Sequence, residues 1–211
     1  MNTNQDSDTF IDDIKENRKA ARKKRSKKGL IIEVIVYLLI IVFCIHVVPT
    51  YILQRTVVSG ESMEDTLHNG ESLLVNKLTY RFHDPERYDI IVFYPRGRDV
   101  DEYYVKRIYG LPGETIYIKN NAIYINGKKI DDPYAKDSID ESEIELGTEE
   151  KPYTLKDDEY YVLGDHRSVS LDSRFIQTGV HGEDAPGPVK RENIAGKVFV
   201  RIWPLNQFGT P

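Results

Sequence analysis

The sequence predicts a mainly β protein, a complex antiparallel β domain carried on one N-terminal transmembrane helix. Three observations lead there. Short Val/Ile/Tyr/Phe runs recur between turn signals from Ser72 to Trp203, which is the pattern of strands in half-buried sheets. Asparagines punctuate the most regular of these runs, as tight hairpin turns at positive φ require. One apolar run, Leu30 to Val48, holds 19 residues with only Glu33 formally charged. At about 1.5 Å rise per residue it just spans a hydrocarbon core of roughly 30 Å.

From the N-terminus, residues 1–29 read as a cytoplasmic tail. The first stretch is polar and mixed in charge, a composition that predicts disorder, and Lys15 to Lys28 then carries nine Lys or Arg against one Glu. A basic block on this flank holds it in the cytoplasm, so residues 30–48 form a plasma-membrane signal anchor and residues 49–211 an extracytoplasmic domain. A cleavable secretory signal shares the order of basic then apolar residues. The run exceeds the usual apolar core of such signals, however, and "PTYILQRT" beyond it offers no small-x-small cleavage pair, so the span is expected to stay. Glu33 lies near the cytoplasmic end, where its side chain can snorkel toward the basic block. Cys44, the single cysteine, falls inside the span, which excludes a disulfide or cysteine zinc site in the exterior domain. Five histidines show no ligand spacing, and no metal or other cofactor is expected. After Val48, 20 basic residues stand against 28 acidic ones, and no nucleic-acid partner is expected either.

Strands are predicted in "SLLVNK", "DIIVFY", "EYYVKRIYG", "TIYIKN", "AIYING", "YYVLG" and "GKVFVRIWP". "TIYIKNNAIYINGKKI" alternates on both sides of Asn120-Asn121, with Asn126-Gly127 following, and reads as a small meander. Residues 131–151 are acidic, punctuated by Pro and Gly and without sustained alternation, and read as a solvated surface insertion. Trp203 and the C-terminal "WPLNQFGTP" read as a packed final strand in preference to a membrane-surface contact.

Three segments are neither simple strand nor simple turn: "SGESMEDTL", "YYVKRIYGLPGE" and "LGDHRSVSLDSR". Gly60 allows the backbone to bring the amide and hydroxyl of Ser62 close to a bound peptide. For Ser62 to attack a carbonyl, a neighbouring group must take its proton. His166 is one candidate for that base. Lys106 is the other: alternation puts Tyr104, Lys106 and Ile108 on one face of a strand. A lysine on a face that packs inward is either a snorkelling edge residue or a buried amine with a pKa below roughly 10.4. In the second case the neutral amine can serve as a general base.

The ordered set "SGESM", "YDIIVF", "VKRIYGLPGE" and "GDHRSVSLDSR" resembles the type I signal peptidases, membrane-anchored serine–lysine endopeptidases, from the anchor to about Trp203. The resemblance implies a signal-peptidase-like β domain. It implies that Ser62 is the nucleophile and Lys106 the general base, that Ser170 orients the lysine amine, and that Asp172 and Arg174 organise the loop around it. It places the oxyanion at the Ser62 N–H with help from Gly60, where this chain carries the glycine of many Gram-positive-type members, and sets Met63 along the primary pocket. The substrates implied are signal peptides of exported preproteins, bound as extended strands with small side chains under the cut, close to membrane lipid and to the secretion translocase. Two positions depart from the family pattern. Asp65 stands where proline is usual, which loosens the turn and adds a negative charge near Lys106 that would raise its pKa; His166 stands where asparagine is common. Two other readings remain: a catalytically weak assembly factor for surface proteins, and a membrane regulator that cleaves itself.

Overall fold

The computed structural model describes residues 27–100 and 102–211, so most of the expected 1–29 tail lies outside the described residues. The chain divides into a unit ending at His46 and a second covering Val47–Pro211. Helix α1, Lys27–Val42, continues as a wider π-helical stretch, Phe43–Ile52, that contains Pro49. A proline removes one N–H and crowds the carbonyl one turn back, which a wider turn accommodates. The stretch Lys28–Ile52 is long and apolar enough to cross a membrane, four residues beyond the expected end at Val48. Side chains from Leu30 to Phe43 are about half exposed on every side of the helix; a helix apolar all round is suited to lipid.

The second unit is antiparallel β. Its strands are β1 (Leu53–Val57), β2 (Ser72–Asn76), β3 (Ile90–Phe93), β4 (Tyr104–Gly110), β5 (Thr115–Lys119), β6 (Ala122–Ile125), β7 (Lys128–Lys129), β8 (Tyr153–Thr154), β9 (Glu159–Leu163), β10 (Val189–Lys190) and β11 (Ile194–Trp203). Among the described residues they form a seven-stranded sheet in the order β1-β2-β11-β3-β4-β9-β10 and a four-stranded sheet, β7-β6-β5-β8. All seven predicted strands appear. Asn120 and Asn121 turn the β5–β6 hairpin at φ 49° and 56°, the left-handed backbone that a two-residue turn needs and that asparagine tolerates.

Burial follows the alternation. In β5, Ile116 and Ile118 are buried, and across the hairpin Ile123 and Ile125 join them in a core with Tyr109 and Tyr161. A second cluster gathers Met63, Leu67, Leu73, Val75 and Val92, so the turn bearing Ser62 is anchored by its own apolar side chains. A third holds Ile91, Phe93, Ile108 and Val162. Strand β4 lies between β3 and β9 and is buried from Lys106 onward. Its polar members Lys106 and Arg107 are therefore forced inside, where each needs a specific partner.

Two expectations need correction. Residues 131–151 are not simply a solvated insertion, because Ile139 and Ile144 are buried in the small-sheet core. Burying each such side chain contributes about 1.5–3 kcal/mol, enough to fix the segment against the sheet. Trp203 pairs with Ser72 at the end of β11, but its side chain is 56% exposed; the strand is packed through Ile194, Ala195 and Val198 and leaves the core at its last residue.

Candidate active site

The Ser62 turn follows β1 and is closed by two backbone bonds, Glu64 N–H to Glu61 O at 3.1 Å and Leu67 N–H to Met63 O at 2.8 Å. Those bonds give the turn its shape without a proline at Asp65. Gly60 enters it at φ +98°, a conformation other residues adopt only with strain. Its N–H donates to Asn69 Oδ1 at 3.0 Å. The donor expected to help at the oxyanion is thus engaged with Asn69 in this conformation. The Ser62 N–H has no hydrogen-bond partner among the described residues. Met63 is 2% exposed; it lines the cleft and belongs to the core at once.

Lys106 Nζ and Ser62 Oγ lie 2.7 Å apart. Lys106 is 5% exposed, and burial pushes its amine down to about 8, against partly opposing fields from Asp172 and Asp165 that favour the ammonium. In the neutral form the Ser62 hydroxyl can donate to the amine lone pair; in the charged form the ammonium donates to the hydroxyl oxygen. The Tyr104 ring lies 5.4 Å from the same nitrogen. Of the two readings open for this lysine, the buried amine is the one observed.

Ser170 donates to Asp172 Oδ2 at 2.7 Å, so its hydroxyl is directed to the carboxylate here, and the Lys106 amine is bonded to Ser62 instead. Asp172 also accepts from the Gly164 N–H at 3.0 Å and from Arg174 Nε at 2.8 Å. Burial alone would raise its pKa, but Arg174 and these hydrogen bonds hold it below the usual carboxylate value. Arg174 closes the loop by donating to the carbonyls of Arg167 and Ser170.

His166 does not face the reacting oxygen. Its N–H bonds Ser62 O at 3.1 Å, and its ring Nδ1 lies 3.2 Å from Glu61 O. Asp65 also stands elsewhere than expected: its side chain is 76% exposed and 3.3 Å from Lys136 Nζ, and it is not among the charges acting on Lys106. The expected rise in the lysine pKa from Asp65 is overturned, because the side chain points to solvent.

Several residues escaped the sequence reading. Asp165, fully buried, takes Arg107 in a two-point ion pair at 3.0 and 2.6 Å and accepts from Thr66 at 2.6 Å, tying β4 to the end of the Ser62 turn. Asp132 holds Arg167 at 2.6 and 2.8 Å, and Asp137 accepts from the N–H groups of Arg167 and Ser168. Gly164 admits no side chain, since a Cβ there would run into Ser170 Oγ and the Ser62 carbonyl. A glycine followed by an acid in "LGDHR" was the available signal. Among the described residues no group of His, Cys, Asp and Glu is arranged to hold a metal.

The dyad opens into a cleft of about 880 Å³ whose walls include Thr56 and Val58 at the end of β1, Tyr103 and Val105 at the start of β4, and Leu171. Since β1 is the sheet's edge strand, its outer backbone groups are available to an extended chain. A serine beside a buried, weakly basic amine, at the foot of a cleft with a free strand edge, can perform acyl transfer on a peptide.

The family model for signal peptidase, peptidase S26, matches residues 31–203. Signal peptidase I P of Bacillus subtilis subsp. natto is 38% identical over 188 residues, covering 88% of this chain and 96% of that one. Signal peptidase I of Bacillus amyloliquefaciens is 34% identical over 192 residues, covering 90% and 97%. A crystal structure of a signal peptidase I from Enterococcus faecalis V583 is 27% identical, with a TM-score of 0.40 over 55% of this chain and 97% of that one. By the family match and these relatives, the chain belongs to the signal peptidase family, peptidase S26, as a membrane-anchored serine endopeptidase acting on the signal peptides of preproteins.

Proposed function

We propose that Ser62 and Lys106 carry the cleavage as a dyad. Ser62 Oγ attacks the scissile carbonyl carbon while its proton passes to the neutral Lys106 amine. The carbonyl oxygen becomes an oxyanion facing the Ser62 N–H. When the intermediate collapses, the C–N bond breaks, Lys106 returns the proton to the leaving amine, and the signal peptide stays esterified to Ser62. Water then attacks the ester with Lys106 again as base, releasing the signal peptide and restoring the serine. The 2.7 Å separation of Ser62 Oγ from a buried lysine nitrogen is the observation that carries this reading.

In the same proposal Asp172 and Arg174 fix the loop, with Ser170 holding Asp172, while Met63 lines the pocket for the residue before the cut. The basic tail orients the anchor with residues 1–29 in the cytoplasm, 30–48 in the bilayer and 49–211 outside the plasma membrane. Substrates arriving on their own apolar segments then share the lipid surface and the vicinity of the translocase with the enzyme.

Processing of a purified preprotein by the detergent-solubilised chain tests the dyad. Ser62→Ala and Lys106→Ala are each expected to abolish processing with the circular dichroism spectrum retained. Processing by either variant at more than a trace of the wild-type rate overturns the assignment, and none by wild type across a panel of preproteins leaves the assembly-factor reading in its place.

A further inference from the structure

Beside the catalytic cleft lies a second open groove of about 820 Å³, and Val169 and Leu171 line both. Val169 is 53% exposed and stands as the ridge between them. The far wall comes from the 131–151 segment through Asp140, Glu141 and Glu143, and the buried Phe175 contributes to the floor. We propose that this groove binds the first residues of the mature chain, those following the scissile bond, and favours segments that carry basic side chains. The inference rests on the peptidase reading and extends it to the other side of the bond.

Continuity supplies the first argument. The catalytic cleft is walled by β1 and β4 and takes the residues before the cut, and an extended peptide advances about 3.3 Å per residue. Ser62, Val169 and Leu171 line one cleft, and on the other side of Val169 and Leu171 the surface is again concave. Ser170, whose hydroxyl is bonded to Asp172, lines the second groove, so the two hollows meet across the loop that supports the dyad.

Charge supplies the second. Asp140 accepts from the N–H and hydroxyl of Ser142, and Glu141 accepts from the Asn121 N–H. Among the described residues the Glu143 side chain has no partner, and none of the three carboxylates is paired with a lysine or arginine. Two arginines and His181 also line the groove; each arginine is matched inside the protein, Arg167 by Asp132 and Arg174 by Asp172, and the His181 ring stands edge-on to Phe175. The groove therefore presents uncompensated negative charge above a partly apolar floor. A lysine or arginine stem would lie along that floor with its charge at the acidic rim.

The test compares two peptide substrates identical up to and including the first residue after the cut and differing only in the next four, with two lysines in one and two glutamates in the other. For wild type at low salt, kcat/KM is expected to favour the lysine peptide about five-fold, the scale of a few exposed ion pairs, and the preference should shrink as salt is added. Glu143→Lys should erase or invert it. Asp157→Lys makes the same change of net charge in the turn between β8 and β9, away from both hollows, and should leave it nearly intact. Equal kcat/KM for the two peptides, or equal effects of the two variants, overturns the groove as a binding site while leaving the peptidase reading standing. Cleavage of neither peptide by wild type, under conditions where it also fails on preproteins, overturns both.

Discussion

Replacing Lys106 with methionine removes the amine and keeps a chain of similar length, and two opposite consequences follow from one quantity. Lys106 sits at about 8 in the folded protein against 10.5 for an ordinary lysine, because burial disfavours its charge. At pH 7 that leaves about one tenth of the amine neutral, where an ordinary lysine would be neutral about once in three thousand, a gain of roughly 300-fold in available base. The same burial costs stability. Between pH 8 and 10.5 the unfolded chain holds more protons than the folded one, so stability rises with pH through that window. Below pH 8 the cost is fully present, at about 3 kcal/mol, and above 10.5 it is gone. Lys106→Met is therefore expected to be inactive yet more stable than wild type by about 3 kcal/mol at pH 7, with the two converging near pH 10.5. Urea unfolding of the detergent-solubilised chains at several pH values, followed by near-ultraviolet circular dichroism, measures the difference. Wild-type kcat/KM should rise tenfold per pH unit up to about pH 8 and then level. A methionine variant no more stable than wild type at pH 7, or an activity limb that breaks near 10.5, would refute burial as the source of the base.

Gly164→Ala drives a methyl group against the Ser62 carbonyl and the Ser170 hydroxyl; a loss of about 1–3 kcal/mol in thermal unfolding should accompany a larger fall in kcat than in 1/KM. Asp165→Ala strands Arg107, which is 3% exposed, and should cost about 3–5 kcal/mol, read by the same urea titration. Asp65→Asn should leave kcat/KM within about two-fold and the pH limb unmoved, since exposed positions away from the site shift energies by less than about 0.5 kcal/mol; a displaced limb would put its charge back beside Lys106.

The long strands were legible because each carries its own signal: Ile116, Ile118, Ile123 and Ile125 alternate with polar residues around an asparagine turn, and nothing distant is needed to place them. Strand β1 was not legible, since "LQRTV" has two apolar residues in five and neither end is fully buried; its identity comes from pairing with β2. Ile139 and Ile144 are isolated apolar residues in acidic text, and only the hollow left by the small sheet makes them core. At the site, Ser62 and Lys106 were found through motif order although 44 positions separate them. The supporting pairs had no such help. Asp165 meets Arg107 over 58 positions and Thr66 over 99, and beyond the glycine that precedes Asp165 no local pattern distinguishes those side chains from surface polar ones.

The buried charges near the dyad work as a set because their fields oppose one another. Asp172 is close enough to favour the ammonium form of Lys106, which would weaken the base at neutral pH, while Arg174 opposes it from the same loop. Arg174 also pairs directly with Asp172, at 2.8 Å from Nε to Oδ1. The pair therefore gives the loop rigid, charge-assisted bonds, and Arg174 offsets part of the Asp172 field at the lysine. Asp165 is paired with Arg107, and its field at the lysine also favours the ammonium. The largest influence on the lysine pKa is its removal from water, which outweighs both carboxylates. A site that relied on an unpaired carboxylate to hold Lys106 would gain a firmer hydrogen bond and lose the neutral amine. The arginines hold both carboxylates in ion pairs, so the loop is tightly held while burial stays strong enough to keep the Lys106 amine a base near neutral pH.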